Sequence, residues 1–400
     1  MSSEITSALM PVTPRPSVVM ARGQGSWLWD EDGRRYLDFV QGWAVNSLGH
    51  APPIIRKALA DQAGRLLTPS PALHNRPQLE LADELARHSG LERVFFCNSG
   101  AEANEGAIKL ARKWGRRAAR AARSSKVEFP YEIITTHGSF HGRTLATMAA
   151  SGKEGWDALF PPVMPGFAKV PYGDVDAVAR AITDRSVAVM VEPVQGEAGV
   201  VVPPDGYLAA LRELTHQRNI LLIVDEIQTG MGRCGGLFAC RQAGVLPDIM
   251  TLGKGLGGGV PLAALLSRES VFCFEAGDQG GTFNGNPLMT SVGLAVLRTV
   301  SAAGFLPAVS QVAGYLRARL EALAQGLGCP GVRGQGLLLA LILPKPVAAD
   351  VVQLVFDAGL FLNSPRPELL RFMPSLTVTP NEVDAMLEIL EPVLSQVLGE

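Results

Sequence analysis

Four short segments of this chain, 94–97, 131–135, 187–191 and 220–224, are apolar with few polar interruptions. A strand that meets water on one face alternates apolar and polar residues, whereas one apolar throughout must be covered on both faces. Helical patterns separate these segments. Over 101–117, Ala103, Ala107, Leu110, Ala111 and Trp114 recur at the spacing of one helix face, and 207–218 reads as a second helix. Doubly covered strands separated by helices confine the middle of the chain to an α/β fold around a mostly parallel sheet.

The ends follow a different rule. Residues 26–40 (SWLWDEDGRRYLDFV) place an Asp-Gly turn between two aromatic runs, which predicts a hairpin. Segments 336–343 and 369–378 are strand-like. A last helix opens at TPNE, with Thr379 as N-cap, Pro380 in the first turn and Glu382 closing a capping box. Strands followed by a helix predict an α+β unit built from the tail. At 400 residues, two domains are expected.

Charge and cysteine usage exclude several classes. The 36 basic and 38 acidic residues leave a net charge of −2, which gives no overall field for nucleic acid or an anionic membrane. The run RKWGRRAARAARSSK (112–126) is basic throughout and reads as a solvated helix face. The five cysteines contain no C-x-x-C pair, so neither a disulfide framework nor a metal site is expected and a reducing, cytoplasmic setting is. No basic segment followed by an apolar one opens the chain, so no secretory leader is expected; the apolar run 337–343 stops at Pro344, too short to span a bilayer.

Two short motifs carry the chemistry. In VDEIQTG (224–230), Asp225 closes an apolar strand, and the carboxyl ends of parallel strands are where α/β sheets hold ligands. In LGKGLGGG (252–259), Lys254 is the one lysine in a glycine-rich turn, where desolvation lowers an amine's pKa. A carboxylate and a reactive amine together suit pyridoxal 5'-phosphate (PLP): the amine holds the aldehyde and the carboxylate keeps the pyridine nitrogen protonated. GKGLGG also fits a dinucleotide fingerprint, but Val260-Pro261 follow where that fold begins a helix; a P-loop fails because Gly255 follows the lysine. In CNSGAEANEGAIKLA (97–111) a Ser-Gly turn enters a helix, whose free N–H groups and dipole make a phosphate site with the Ser99 hydroxyl as a further donor. An ordinary serine-capped helix fits the same residues.

SGAEAN, SFHGRT (139–144), EPVQGEAG (192–199), DEIQTGMGR (225–233), GKGLGGG and GTFNGNP (281–287) occur in the order that marks subgroup III, ornithine-type aminotransferases. The chain resembles that family over nearly its whole length. The resemblance implies a fold type I PLP transferase: an N-terminal segment with part of a small domain over 1–62, a large PLP-binding domain over 63–292, and a C-terminal small α+β domain over 293–400. It implies that Lys254 holds PLP and moves the proton, that Asp225 meets the pyridine nitrogen, that Gln228 sits near the phenolic oxygen and that Phe140 stacks on the ring. Ser99, Gly100 and Ala101 are implied as the phosphate cup. Thr282 is implied to reach the phosphate of a neighbouring subunit, which makes a homodimer part of the mechanism. Arg143 and Arg371 are implied as receivers of substrate carboxylates, and Glu197 as a gate that masks Arg371 when the donor carries a terminal amine and releases it for glutamate.

Within the family, Gly42 stands where ornithine enzymes usually carry a tyrosine. A glycine leaves room for an acyl group and gives a buried ammonium no partner. The resemblance therefore points to transfer of the δ-amino group of N2-acetyl-L-ornithine to 2-oxoglutarate, as in arginine biosynthesis. Succinylornithine, ornithine, 4-aminobutyrate or another ω-amine stays open as the donor. Gly138 replaces a frequent asparagine, Asn284 a frequent glycine, and GHAPP (49–53) the more usual GHxHP.

Overall fold

The computed structural model describes residues 8–122 and 129–399. Seven strands form the central sheet: β1 (Arg93–Cys97), β2 (Glu132–Thr136), β3 (Phe167–Val170), β4 (Ser186–Val191), β5 (Leu221–Asp225), β6 (Ile249–Leu252) and β7 (Ala263–Ser267), in the spatial order β1-β7-β6-β5-β4-β2-β3. All neighbours are parallel except β7, which is antiparallel to both β1 and β6. β4 and β5 are buried at every position. Leu222 and Val224 pack into one core and Leu221 and Ile223 into another, which is why the sequence shows no alternation there. The four expected strands lie within a residue of β1, β2, β4 and β5. β3, β6 and β7 were not legible, being short and, in AALLS, rich in alanine, a weak strand former.

The helix expected over 101–117 runs from Gly100 to Ala122 and packs on β6 and β7, burying Ala107, Leu110 and Ala111. Its basic end is partly structural. Arg112 donates from Nε to Tyr131 O (3.1 Å) and from Nη2 to Pro165 O (2.8 Å), and Lys113 pairs with Asp278. Residues 123–126 of the basic run lie outside the described residues.

A second, four-stranded antiparallel sheet is built from Gly331–Gln335, Leu338–Ile342, Leu369–Phe372 and Asn363–Arg366, with helices Phe305–Gly326, Ala348–Asp357 and Pro380–Gly399 in the same tail. The strand expected to continue to residue 378 ends at Phe372. The Met373 N–H leaves the ladder for Phe39 O (2.7 Å), Pro374 has no N–H, and the Leu376 N–H goes to Ser47 O (2.8 Å). The expected N-terminal hairpin pairs Trp27–Asp30 with Arg35–Asp38, and the latter also pairs in parallel with Leu360–Phe361. Among the described residues no single helix is long and apolar enough to cross a membrane.

The capping box is made as read. The Thr379 hydroxyl accepts from the Glu382 N–H at 3.3 Å, and the Glu382 carboxylate accepts from the Thr379 N–H at 2.8 Å. Thr379→Ala is therefore expected to cost about 1 kcal/mol, read as a lower urea midpoint with an unchanged m value. An unchanged midpoint would mean that water replaces the cap at no cost.

Candidate active site

The carboxyl ends of β4, β5 and β6 deliver Glu192, Asp225 and Lys254 to one cavity of about 280 Å³. Of the residues singled out from sequence, Gly100, Ala101, Phe140, Arg143, Glu197, Asp225, Gln228 and Lys254 line it. Crossover helices leave this edge of a parallel sheet open, which is why loops after the strands can converge there.

Asp225 is buried and held from three directions. Its Oδ2 accepts from Asn104 Nδ2 (2.8 Å) and His141 Nδ1 (2.8 Å), and its Oδ1 accepts from the Ile227 N–H (3.0 Å). Asn104 is itself fixed, accepting from the Thr251 hydroxyl (2.8 Å) and donating to His141 O (2.7 Å). Lys254 takes a left-handed backbone conformation, φ +41°, between its two glycines. A Cβ on Gly255 would stand 2.7 Å from Ser47 Oγ, so that glycine admits a close approach of chains. Burial pushes the Lys254 amine below the ordinary lysine range; Glu197 opposes this and Arg371 adds to it. The Lys254 amine makes no hydrogen bond or ion pair among the described residues.

Arg371 is fully buried. Its Nη1 donates to Glu197 Oε1 (2.7 Å) and to Gly196 O (2.9 Å), its Nε to Asn363 Oδ1 (3.3 Å), and its Nη2 has no partner. Burial pushes the Glu197 carboxyl upward, but the charges of Arg371 and Lys254 and hydrogen bonds from Arg371 and Gln228 outweigh it and hold the group below its usual value. Gln228 lies against Gly196, where a Cβ would come 1.5 Å from Gln228 Oε1; that oxygen is buried and unpartnered. Phe140 meets Trp156 edge to face at 5.6 Å, and the exposed Arg143 guanidinium stands 5.3 Å from the Trp156 ring.

Four expected residues do not line the cavity: Arg371, which stands behind Glu197, and Ser99, Thr282 and Gly42. The Ser99 hydroxyl donates to Glu102 Oε2 (3.0 Å), which also accepts from the Ser99 N–H (2.7 Å) and the Asn98 N–H (3.0 Å). Ser99 is thus the N-cap of the long helix, and only Gly100 and Ala101 of the expected cup reach the cavity. Thr282 is exposed on a loop outside the cavity. Its neighbour Asn284 accepts from Asn98 Nδ2 (3.0 Å), which ties that loop to the start of the long helix and gives the unusual asparagine a use. Gly42 does not line the cavity either. It lies in a run of left-handed residues, Gln41, Gly42, Trp43 and Ala44, with φ between +49° and +63°. A left-handed φ favours glycine there, although Gln41, Trp43 and Ala44 adopt the same conformation.

Sequence reasoning missed Glu192, His141 and Asn104. The rule that selected Asp225 at a strand end applies equally to Glu192, which lines the cavity and accepts from the Phe140 N–H at 3.1 Å. Burial, then the charge of Asp225, raises the Glu192 carboxyl well above the ordinary range. Asn104 is a fully buried polar residue beside an alanine stripe, and that misfit was its signal.

The family model for class-III aminotransferases matches residues 10–394. The chain belongs to the class-III aminotransferases. It is 54% identical over 390 residues to an acetylornithine aminotransferase of Ralstonia nicotianae, covering 97% of each chain. It is 54% identical over 394 residues to acetylornithine aminotransferase 2 of Bordetella bronchiseptica, covering 98% of each. Among solved structures it is similar to the ornithine aminotransferase of Toxoplasma gondii ME49, with TM-score 0.90, 33% identity and coverage of 98% and 93%. It is also similar to the N-acetylornithine aminotransferase of Stenotrophomonas maltophilia K279a, with TM-score 0.82, 37% identity and coverage of 96% and 97%.

Class-III aminotransferases use PLP, and one Toxoplasma gondii ornithine aminotransferase structure is described with partial occupancy of PLP at its active site. The cavity of this chain fits that group. It offers an unpaired amine, a thrice-held carboxylate, a buried unpartnered Gln228 oxygen, and at the helix start a Gly100 where a Cβ would come 2.7 Å from Ile227 Cδ1.

A half-buried amine with a depressed pKa binds fewer protons folded than unfolded, so the stability it costs is recovered as pH rises from its depressed value toward the ordinary value near 10.5. Lys254→Met is therefore expected to raise the thermal midpoint of the cofactor-free protein at neutral pH. The gain should shrink as pH approaches 10.5. A variant less stable than wild type at pH 7 would contradict the desolvated amine.

Proposed function

We propose that this class-III aminotransferase moves the δ-amino group of N2-acetyl-L-ornithine to 2-oxoglutarate, the transamination of arginine biosynthesis, in two half-reactions at one site. The observation that carries this reading is the ion pair of buried Arg371 with half-exposed Glu197, whose charges both act on the Lys254 amine. Relatives named acetylornithine aminotransferase, 40–54% identical over nearly the whole chain, support the choice of donor.

PLP, when bound, supplies an electron sink for negative charge developing on the carbon that carries the amino group. Lys254 Nζ would hold it and move the proton, for which a depressed amine pKa is suited near neutral pH. Asp225, fixed by Asn104, His141 and Ile227, offers its carboxylate to the ring nitrogen. Of the residues that line the cavity, Phe140 would cover the ring, Gln228 would serve the phenolic oxygen, and the Gly100 and Ala101 amides at the helix start would receive the phosphate. Thr282, outside its own chain's cavity, completes the cup of a second copy, so the working unit is a homodimer.

Two donors of different shape share the pocket. N2-acetyl-L-ornithine presents a terminal amine to Lys254 while its carboxylate meets Arg143 at the mouth, where a guanidinium fork fixes orientation. Glu197 then stays on Arg371 and masks a buried positive charge that this donor cannot match. Glutamate brings a carboxylate of its own close to the reacting carbon, so Glu197 moves aside and Arg371 binds it.

Glu197→Ala is expected to leave Arg371 uncovered. The second-order rate constant of the acetylornithine half-reaction should fall by about tenfold or more relative to that of glutamate, as losing a charge-assisted hydrogen bond at a buried guanidinium implies. Stopped-flow absorbance of the two half-reactions measures this, and an unchanged ratio would contradict the gate.

A further inference from the structure

Glu197 sits on a loop whose backbone is held at nearly every step. Gly196 O accepts from Arg371 Nη1 at 2.9 Å and from the N–H groups of Gly199 and Val200 at 3.2 Å each. Gly199 O accepts from Arg333 Nε at 2.8 Å, and Ala198 O from Arg366 Nε at 3.4 Å. At the base, Gln195 and Val201 exchange both backbone hydrogen bonds, at 3.0 and 2.9 Å.

The loop is also strained. Val200 is fully buried with φ +60°, a costly conformation for a β-branched residue. Gly199 has φ +106°, and a Cβ there would stand 2.3 Å from Leu369 Cδ1 and 2.9 Å from Arg333 Nη2. Such geometry persists only where the surroundings over-determine it. Here the surroundings are the second sheet: Arg333, Arg366 and Arg371 come from three of its strands. Among the described residues neither Arg333 nor Arg366 forms an ion pair, so both guanidinium groups spend hydrogen bonds on this loop.

We propose that Arg333 and Arg366 are positioning residues for donor choice: with Arg371 they hold the Gly196–Val200 backbone in place, so that Glu197 covers and uncovers Arg371 by side-chain rotation alone. The donors sorted in this way are amino acids with a terminal amine on one side and α,ω-dicarboxylic amino acids on the other. The inference rests on the two-donor reading above and adds what gives the gate its precision. The Glu197–Arg371 contact of 2.7 Å survives only if the loop does not drift, because a hydrogen bond weakens steeply with displacement.

The test uses the holoenzyme and the ratio of second-order rate constants for N2-acetyl-L-ornithine and L-glutamate, measured in Arg333→Met, Arg333→Lys and Glu197→Ala. Both Arg333 variants lack a donor at the Nε position. Each is expected to lower the ratio by about tenfold, the worth of one charge-assisted hydrogen bond, chiefly through a higher KM for acetylornithine. Amide hydrogen exchange of residues 196–201 should quicken in both variants while β5 stays protected. A wild-type ratio in Arg333→Lys would assign the effect to charge and overturn the clamp. Faster exchange with an unchanged ratio would overturn it as well. Should the Arg333 variants fail to fold, Arg366→Met removes an exposed side chain with a longer bond and is expected to lower the ratio by about threefold; no change there would also overturn the clamp. Glu197→Ala separates the two levels. An unchanged ratio in that variant overturns the two-donor reading itself, whereas a fall there with none in the arginine variants overturns only the clamp.

Discussion

A half-buried amine without a hydrogen-bond partner of its own is the constraint on which the rest of this structure depends. Lys254 gives up part of its hydration in a cavity where its hydrogen-bonding capacity is unspent, and its backbone is left-handed there. Such a site lowers stability unless something binds there, which is how proteins come to hold reactive groups at ligand sites. The sheet serves this arrangement. β5 ends at Asp225, β6 delivers Lys254, and a buried network through Asn104, His141 and Thr251 keeps the carboxylate from turning away.

The second constraint is the fastening of the tail sheet to the central one. Arg233, two per cent exposed, donates from Nη1 to the carbonyls of Leu337 and Pro374, and its own carbonyl accepts from the Leu337 N–H. Burial lowers its guanidinium to about 10, and no carboxylate pairs with it among the described residues. A buried cation on backbone carbonyls is costly, and here it fixes the end of the Leu369–Phe372 strand, hence Arg371, relative to the loop that follows Asp225. Arg233 thus fastens the tail sheet to the loop after Asp225, as Arg333, Arg366 and Arg371 fasten it to the loop that carries Glu197.

Much of this was legible in sequence for a physical reason. Strands covered on both faces lose alternation, so 187–191 and 220–224 announced a buried parallel sheet, and a lysine between glycines announced a close approach. The family motifs gathered eight of the expected residues into one cavity. Long-range relations were less legible. Nothing local in FAKV or AALLS distinguishes a strand. Ser99 reads equally as a phosphate donor and as a cap, and its choice of Glu102 depends on three-dimensional geometry. Gly42, read as room for an acyl group, stands outside the cavity of its own chain in a left-handed run, a placement no local pattern announces. Arg333 and Arg366 carry no motif at all, because their partners are main-chain carbonyls distant in sequence.

The most direct measurement is an absorbance titration of the purified, PLP-loaded protein with amino donors in the absence of a keto acid. The account predicts that N2-acetyl-L-ornithine bleaches the yellow cofactor band at lower concentration than L-ornithine or 4-aminobutyrate, and that 2-oxoglutarate restores it. A band bleached best by one of the other donors would contradict the substrate and keep the chemistry. A protein that acquires no such band with PLP would contradict the assignment of the unpaired Lys254 amine as the group that holds the cofactor.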